Sequence, residues 1–492
     1  MAKTLMIQGT SSNVGKSLIT AALCRIFKRK GVNVVPFKAQ NMALNSFVTP
    51  EGHEIGRAQV VQAQAAGLSP HVDMNPILLK PEADSFSQVV LMGKPWKNLP
   101  AGEYYKESVE LWAAVAGALE RLHSRHELIV IEGAGSPAEI NLNKYEIVNM
   151  RVARHLNAPV LLAGDIDRGG IFAQLYGTLE LLKPEERKLV KGFIVNKFRG
   201  DVKLLEPGID MLTELAGGVP TLGIVPYLRD IRLAQEDSVF LDENSESALR
   251  DGNAENTDAI DVAVIRLPHI SNYDDFDPLQ HEDGVRVRFV DRAKTLGAPD
   301  AVIIPGSKTT VADLNWLQDC GLADIIKGLS KAGVPVFGVC GGYQMLGTFI
   351  DDPEGIEGRR GRFTGLGLLP VETVFSGQKE TAAGKAVVCG TGETVNGYEI
   401  HMGRSLLKDG AEPLLKKPDG SYDGCVSGNV CGTYFHGIFD NDDYRRTWLK
   451  SIGWRALPGK SFFSLREEEL DRLADNFESA LDMELLLRII GF

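Results

Sequence analysis

The stretch TLMIQGTSSNVGKS, residues 4–17, decides the fold of the N-terminal half. It opens with an apolar run that predicts a first β-strand, and a glycine- and serine-rich turn follows at once. The next stretch, LITAALCRIFKRKG, is expected to form a helix. Strand, glycine-rich turn and helix in this order are typical of a phosphate-binding loop, in which backbone N–H groups and the positive end of the helix hold phosphate oxygens.

This loop departs from the usual glycine spacing by one residue, because its first glycine is Gly9. The loop can still bind phosphate with the extra residue. Lys16 is expected to reach the outer phosphates, and Ser17 is expected to ligate Mg²⁺. Asn196 follows a late strand, where nucleotide-binding proteins often contact the base, although an ordinary turn explains it equally well. The residues predicted to bind ATP are Gly9, Thr10, Asn13, Gly15, Lys16, Ser17 and Asn196. A strand-to-helix turn with a chance GKS is the alternative.

Short β-branched runs recur along the chain and predict an α/β protein with two doubly wound domains. In the N-terminal half NVVPF, LIVIEG, PVLLAGD and GFIVNKF are separated by stretches long enough for crossover helices. A second series of apolar runs begins at DVAVIRLP and continues through AVIIPGS and VPVFGVCGG. We expect a nucleotide domain at 1–240, an acidic linker at 241–259, a second α/β domain at 260–445 and a C-terminal helical extension at 446–492 that closes the second domain.

Carboxylates that follow the strands are candidates for metal binding, because ligands bind at the carboxyl ends of strands in open α/β sheets. Glu132 follows the apolar run LIVI and is predicted to coordinate Mg²⁺; a capping or loop carboxylate is the alternative. Asp165 and Asp167 end another strand and are candidates for metal or substrate contacts.

The composition argues against a membrane protein, a nucleic-acid-binding protein and a protein held together by zinc or disulfides. Hydrophobic residues make up 44% and charged residues 24% of the 492 residues, and no apolar run approaches the length of a membrane span. The formal net charge of −12 opposes nucleic-acid binding. The six cysteines form no CxxC pair, which indicates neither a zinc site nor a disulfide framework. We expect a cytoplasmic protein without nucleic-acid or membrane partners, and the oligomeric state is open.

A second motif, GVCGGYQMLG, surrounds Cys340 and predicts a cysteine nucleophile. Its glycines permit the sharp strand-to-helix turn of a nucleophile elbow, and the helix N-terminus favours an anionic sulfur. His436, in GTYFHGIFD, is the predicted base of an acyl-transfer site. Backbone N–H groups of Gly341 and of the PGS turn at Gly306 and Ser307 would form an oxyanion hole. Gln344 is the candidate glutamine-binding residue of the same motif.

These motifs carry a family resemblance. Residues 260–440 resemble the class I (triad) glutamine amidotransferase domain, and the N-terminal half resembles the dethiobiotin synthetase type of ATP-dependent ligase domain, whose phosphate loop has the same extra residue. The triad family carries a glutamate two residues after the histidine, but Ile438 stands there. A Cys/His dyad, or a substitute such as Glu399 or Asp440, is therefore expected.

The whole chain is similar to the cobyric acid synthase family through FKAQNMALNS, EGAGSPAEINL, DIDRGGIFA, NKFRGD and SNYDDFDPL. The resemblance implies glutamine- and ATP-dependent amidation of the b, d, e and g carboxylates of adenosylcobyrinic acid a,c-diamide, with Mg²⁺ as cofactor. It also suggests further substrate or metal contacts at Asn41, Arg57, Asn272 and Asp275, although a polar surface loop explains each of them equally well. The alternatives are cobyrinic acid a,c-diamide synthase, another ATP-dependent amidotransferase, and a ParA/MinD-type switch, whose early loop lysine is replaced here by Ser11.

Overall fold

A computed structural model describes residues 2–83, 86–229, 231–233, 259–408 and 410–492. The chain divides into two compact units. The first unit comprises Met1–Ala43, Glu54–Leu233 and Arg466–Phe492, and the second comprises Leu44–His53 and Ala234–Leu465. Apart from residue 259, the predicted linker at 241–259 lies outside the described residues.

The first unit is built on a six-stranded parallel sheet. Apart from the edge strand Thr221–Pro226, its strands are largely buried, which explains why the sequence shows continuous apolar runs there rather than alternation. In spatial order the strands are Thr221–Pro226, Val190–Phe198, Val160–Asp165, Lys3–Gly9, Leu128–Glu132 and Val34–Lys38. The first strand in the sequence is thus central, as expected of a doubly wound sheet in which ligands bind where the strand order reverses.

Helices alternate with these strands, and a smaller sheet is added. The helices of this unit up to residue 233 are Lys16–Arg29, Arg57–Ala66, Ala101–Tyr104, Ser108–Arg125, Met150–Leu156, Ile171–Leu181, Pro184–Arg187 and Val202–Leu215, with 3₁₀ turns at Val72–Met74 and Tyr105–Glu107. The smaller sheet has the strand order Gln40–Met42, Ile77–Ala83, Phe86–Leu91 and Lys94–Pro100. A short strand, Glu54–Gly56, precedes the second helix.

The second unit contains a six-stranded sheet that is parallel except for one edge strand. Its order is Val285–Val290, Ile260–Ile265, Ala301–Ile304, Val336–Val339, Val430–Thr433 and Cys425–Ser427. Another sheet is dominated by the long hairpin of Val371–Val388 and Thr394–Leu407. It also includes Phe349–Asp352, Gly361–Thr364, Leu415–Lys416 and Tyr422–Asp423. Both sheets contribute to one buried core.

The remaining elements of the second unit are short strands and helices. The strands are Ser46–Val48, Ile270–Ser271 and Gly306–Ser307. The helices and 3₁₀ turns are Tyr273–Phe276, Asp277–Gln280, Ala293–Leu296, Thr310–Asp319, Leu322–Lys331, Gly341–Leu346, Ile438–Asp440 and Asp442–Ser451. Among the described helices of the whole chain, none is long and apolar enough to cross a membrane. The α/β class with two doubly wound sheets, predicted from the spacing of apolar runs, is confirmed.

The division of the chain differs from the sequence-based boundaries at two places. Residues Leu44–His53 belong to the second unit although they precede most of the first. The tail from Arg466 onward, which includes most of helix Phe462–Ala480 and all of Met483–Ile490, belongs to the first unit and does not close the second domain. Helical spacing identifies the apolar face of such a tail, but it does not say which surface that face covers.

Ion pairs fix the tail within the first unit. The buried guanidinium of Arg25 donates to both carboxylate oxygens of Asp471 at 2.8 and 3.0 Å and to Glu467 Oε2 at 2.9 Å. These carboxylates hold the pKa of Arg25 above its ordinary value, against the opposing effect of burial. Leu222 O also accepts a hydrogen bond of 2.7 Å from Asp482 N, which joins the chain end to an edge strand of the sheet.

Arg25→Ala should therefore destabilise the protein. It removes three charge-assisted hydrogen bonds to partly exposed carboxylates, and we expect a loss of about 1–3 kcal/mol in the free energy of unfolding. Thermal unfolding followed by calorimetry measures the change. Arg472→Ala, which breaks an exposed pair with Glu469 in the same tail, should shift stability by about 0.5 kcal/mol or less. Equal effects of the two substitutions would contradict this account.

Candidate active sites

The phosphate loop of the first unit has the predicted strand–loop–helix form. The strand ends at Gly9, and the helix begins at Lys16 after Gly15, whose φ of 97° is left-handed. The Lys16 ammonium lies over the loop and donates to Ser11 O at 3.0 Å and to Gly135 O at 3.1 Å. Thr10 N is bonded to Ala163 O at 2.9 Å. The loop is therefore held at both ends by neighbouring strands and turns.

Asn196 contacts this loop directly. Its Nδ2 donates to Val14 O at 2.7 Å, and a Cβ atom at Gly15 would collide with it, which explains why glycine is needed there beyond its φ angle. The next residue, Lys197, donates from Nζ to Asn13 O at 2.7 Å. The structure thus places Asn196 beside the part of the loop that contains Asn13, and both residues were predicted from sequence.

Glu132 is the centre of a buried polar cluster at the carboxyl end of its strand. Its Oε1 accepts from Ser17 Oγ at 2.8 Å and from Lys38 Nζ at 3.0 Å, and its Oε2 accepts from Gln62 Nε2 at 2.5 Å. Burial alone would raise the pKa of Glu132, but the charge of Lys38 and the hydrogen bonds outweigh it and hold the pKa below its ordinary value. The side chain is therefore an anionic carboxylate near neutral pH.

This cluster has the chemistry of a Mg²⁺ site completed by a nucleotide. Mg²⁺ prefers oxygen ligands and is usually held by one or two protein groups together with phosphates and water. Ser17 Oγ and Glu132 Oε1 are hard oxygen donors 2.8 Å apart, and the neighbouring Gln62 Oε1 is buried without a hydrogen-bond partner. Among the described residues there is no cluster of three acidic, histidine or cysteine side chains that could hold a metal ion without phosphates.

Other candidate residues of the first unit have protein partners. Asp165 accepts from Lys197 Nζ at 2.8 Å and from the backbone of Asp167, and Asp167 forms an ion pair of 3.0 Å with Arg199. Asn41 is buried, and its Nδ2 donates to the Gln59 side chain at 2.8 Å. Arg57 is also buried, at the first position of its helix. A role of any of them in substrate or metal binding stays a prediction.

Cys340 lies in the second unit, at the predicted elbow between strand Val336–Val339 and helix Gly341–Leu346. It adopts φ 52° and ψ −109°, a conformation that is costly for a residue with a Cβ atom and that clusters at functional sites. Its Sγ is buried and donates to Ile400 O at 3.6 Å. A Cβ atom at Gly342, two residues after Cys340, would collide with Ile304 O, so the elbow requires small residues, as the sequence predicted.

The two glycines predicted to form the oxyanion hole lie beside this elbow. A Cβ atom built at Gly306 would lie 3.1 Å from His436 Cε1, and one built at Gly341 would lie 3.0 Å from Ser307 N. Gly306, Gly341, Ser307 and His436 therefore meet at one place. That proximity agrees with an oxyanion hole, although the direction in which these N–H groups would meet a substrate oxygen stays a prediction.

His436 is oriented by a carboxylate that sequence reasoning assigned elsewhere. Its Nδ1 is 2.6 Å from Asp275 Oδ2, while Asp275 Oδ1 accepts from Gly437 N at 2.9 Å. Both residues are almost fully buried. The family resemblance suggested Asp275 as a substrate or metal contact, but both of its oxygens face the histidine segment. Asp275 thus takes the place of the triad glutamate that Ile438 replaces.

The electrostatics of His436 follow from this pairing. Burial disfavours the imidazolium, but the Asp275 carboxylate and the Cys340 sulfur, both hydrogen-bonded to the ring, outweigh it and raise the pKa of His436 to about 10. By contrast, burial lowers the pKa of the nearby His401 to about 3, so His401 stays neutral. His436 is therefore the protonated imidazole beside the sulfur at neutral pH.

The two alternative carboxylates do not orient His436. Glu399 is paired with Lys417 Nζ at 2.6 and 2.7 Å, and the Nδ1 position that Asp440 would have to occupy is taken by Asp275. Gln344, the predicted glutamine-binding residue, is buried and directs its amide to Thr310 Oγ1, Met402 O and Tyr434 OH at 3.2, 2.8 and 3.1 Å. Its amide is therefore hydrogen-bonded to protein groups on both its oxygen and its nitrogen, and its contact with glutamine stays a prediction.

Lys38 and Gln62 of the Glu132 cluster were missed from the sequence. Lys38 ends the strand Val34–Lys38, and its register places it beside Glu132 on the neighbouring strand, so a strand-end rule applied to lysine as well as to carboxylates would have found it. Gln62 lies within a helix among alanine and valine residues, and no local signal distinguishes it.

Comparisons with known proteins agree with this geometry. Residues 5–239 match a CobQ/CobB/MinD/ParA nucleotide binding domain, and residues 261–444 match a CobB/CobQ-like glutamine amidotransferase domain. The chain is similar to three curated proteins called cobyric acid synthase. That of Sorangium cellulosum is 52% identical over 100% of this chain and 99% of its own length. That of Dehalococcoides mccartyi is 51% identical with the same coverage, and that of Desulfitobacterium hafniense is 49% identical over 100% and 98%.

The two matched domains coincide with the phosphate loop and Glu132 cluster in one unit and with Cys340, Asp275 and His436 in the other. The relatives are matched over the full length of this chain at about half identity. This chain therefore belongs to the cobyric acid synthase family.

Proposed function

We propose that this protein is an ATP- and glutamine-dependent ligase that amidates the b, d, e and g carboxylates of adenosylcobyrinic acid a,c-diamide to give adenosylcobyric acid. The name and full-length similarity of its relatives support the product. The observation that carries the glutamine-hydrolysing half is the hydrogen bond of 2.6 Å between His436 Nδ1 and Asp275, beside a cysteine at a strained elbow. Purified protein given either corrinoid, the a,c-diamide or cobyrinic acid itself, should amidate only the former.

Glutamine hydrolysis in the second unit would proceed through a thioester. The Cys340 sulfur reacts as the anion paired with protonated His436 and attacks the side-chain carbonyl carbon of glutamine, and backbone N–H groups at Gly306 and Gly341 stabilise the resulting oxyanion. His436 gives its proton to the nitrogen as the C–N bond breaks and ammonia leaves. Water then attacks the thioester, with His436 as the base, and glutamate leaves while the sulfur is restored. Asp275 holds the imidazole with its other nitrogen toward the reacting atoms.

Amide formation in the first unit would require activation of the acid by ATP, because a carboxylate does not react with ammonia in water. An oxygen of the substrate carboxylate attacks the γ-phosphorus of ATP, and the bond to the β-phosphate breaks. ADP departs, and the substrate carboxylate has become an acyl phosphate. Ammonia attacks its carbonyl carbon, phosphate leaves, and an amide remains. Lys16 would offset charge on the phosphates. Ser17 and Glu132 would hold Mg²⁺, and the ion would supply positive charge beside the phosphates.

Cys340→Ala tests the division of labour between the two sites. The substitution should abolish glutamine-driven synthesis, a loss of about 10³-fold or more, because no other nucleophile replaces the sulfur. Ammonium-driven, ATP-consuming synthesis should persist within about twofold. Parallel assays with glutamine and with ammonium chloride measure both. Loss of both activities would contradict the proposal that the sulfur acts only in the release of ammonia.

Asp275→Asn tests the orienting carboxylate. Loss of its charge should lower glutaminase kcat by about 10²-fold, because Asn neither favours the imidazolium nor fixes the tautomer. The pKa of His436 should fall from about 10 toward its ordinary value. The alkaline limb of the kcat profile, where His436 loses its proton, should then move to lower pH. Asp283→Asn, at an exposed position of the same unit, should leave the profile unchanged. An unshifted limb in Asp275→Asn would contradict this role.

Glu132→Gln tests the nucleotide site. The amide keeps the shape but lacks the charge that attracts Mg²⁺ and pairs with Lys38, so synthesis from ammonium should fall by about 10²-fold or more. Glutaminase activity measured alone should change little. Glu120→Gln on an exposed helical position is the matched control. Full ammonium-driven synthesis by Glu132→Gln would mean that this carboxylate does not act in ATP-dependent activation.

A further inference from the structure

The second unit includes the segment Leu44–His53, which comes from the N-terminal half of the sequence. We propose that this segment, through Asn45 and Ser46, positions the Asp275–His436 pair for glutamine hydrolysis. The proposal rests on the function proposed above and adds to it two positioning residues outside the sequence region of the glutamine amidotransferase domain, which begins at residue 261.

The first contact is a set of hydrogen bonds between the segment and Asn272. Asn45 Oδ1 accepts from Asn272 N at 2.7 Å. Ser46 N donates to Asn272 Oδ1 at 3.2 Å, and Ser46 O accepts from Asn272 Nδ2 at 3.0 Å. All three residues are at most 2% exposed. Because each group is shielded from water, loss of one partner leaves a buried donor or acceptor unpaired.

Asn272 in turn fixes the turn that carries Asp275. It has a left-handed φ of 53° and immediately precedes the 3₁₀ turn Tyr273–Phe276. Its carbonyl oxygen accepts from Asp275 N at 3.1 Å. A left-handed residue without its side-chain partners relaxes easily to another backbone conformation, and that change would move Asp275 relative to His436. The hydrogen bonds from Asn45 and Ser46 oppose this relaxation.

A second contact reaches the histidine ring through Tyr398. The Tyr398 hydroxyl accepts from Asn272 Nδ2 at 2.8 Å and donates to Ser46 O at 3.2 Å. Its ring is stacked on the imidazole of His436, with centroids 5.2 Å apart and an interplanar angle of 20°. Backbone hydrogen bonds of 2.8 and 3.2 Å also join Tyr398 and His436. The segment therefore supports both the carboxylate bound to the imidazole and the ring stacked against it.

The apolar residues of the segment reach the strand that borders the nucleophile. Val48 packs with Tyr398 and Ile400 in a small buried cluster, and the Phe47 ring lies 4.6 Å from that of Tyr398. Ile400 supplies the carbonyl that accepts from Cys340 Sγ. The segment thus contacts residues that also contact the cysteine, the histidine and the aspartate. A change in the segment can therefore alter the positions of these three side chains.

Asn45→Ala tests the proposal in the full-length protein. It removes the acceptor of Asn272 N, and we expect glutaminase kcat to fall by about 10- to 100-fold, since small misplacements of catalytic groups cost this much. The KM for glutamine should stay within about threefold, because no residue of the segment is assigned to the glutamine pocket. Ammonium-driven synthesis by the same variant should stay within twofold of the unmodified protein.

Asn45→Asp is the conservative variant. It keeps the accepting oxygen and loses no hydrogen bond, because Asn45 Nδ2 has no partner among the described residues. It should recover glutaminase kcat to within about fivefold of the unmodified protein. Glu51→Ala, at an exposed position of the same segment, should have no effect. If Asn45→Ala does not fold, Tyr398→Phe, which removes only the bridging hydroxyl, should still lower kcat by about 5- to 20-fold with an unchanged KM.

Three results would overturn the proposal: glutaminase kcat of Asn45→Ala and Tyr398→Phe within twofold of the unmodified protein, an equal fall of glutamine- and ammonium-driven synthesis, or no recovery in Asn45→Asp. Failure of the proposed function is recognised separately, because the unmodified protein would then hydrolyse no glutamine. An unmodified protein that does hydrolyse glutamine, together with an unaffected Asn45→Ala, defeats only the positioning role.

Discussion

The hydrogen bond between Asp275 and His436 is the interaction on which the glutaminase chemistry depends. A buried imidazole would ordinarily be neutral, and a neutral ring cannot give a proton to departing ammonia. The carboxylate, together with the Cys340 sulfur, reverses that preference and raises the pKa of His436 to about 10, while its second oxygen accepts from Gly437 N. The strained backbone of Cys340 then places the sulfur against this pair. The buried Asp275–His436 pair and the strained backbone of Cys340 each lower stability, and each is useful for catalysis only in combination with the other.

In the nucleotide site, too, neighbouring groups keep a buried side chain ionised, but here the side chain is the anionic Glu132. Glu132 is fully buried, yet Lys38, Ser17 and Gln62 keep it ionised. The ammonium of Lys38 pairs with the Glu132 carboxylate at 3.0 Å, so the buried charges of the two side chains offset each other. In both units, therefore, a buried ionic pair at the end of a sheet holds a reactive group in the charge state that its chemistry requires.

Sequence patterns were reliable where the chemistry is local. The phosphate loop and the elbow at Cys340 lie where a strand, a turn and a helix follow one another, and Glu132 is the last residue of its strand. The sequence also showed correctly that the usual triad glutamate is absent, because Ile438 stands at its position. The carboxylate that replaces it was not among the named candidates Glu399 and Asp440, because Asp275 lies 161 residues from His436 in the chain and no local pattern connects the two.

The sequence by itself determined the two α/β sheets, the order of their strands along the chain and the identity of the nucleophile, its histidine and the phosphate loop, because each is encoded in a short run of apolar periodicity or glycine spacing. The tertiary structure alone decided which carboxylate orients His436, that Leu44–His53 belongs to the second unit and that the tail from Arg466 belongs to the first. Those are contacts between distant parts of the chain. They depend on how buried surfaces and hydrogen-bonding groups find partners in three dimensions, and no local pattern specifies the partner.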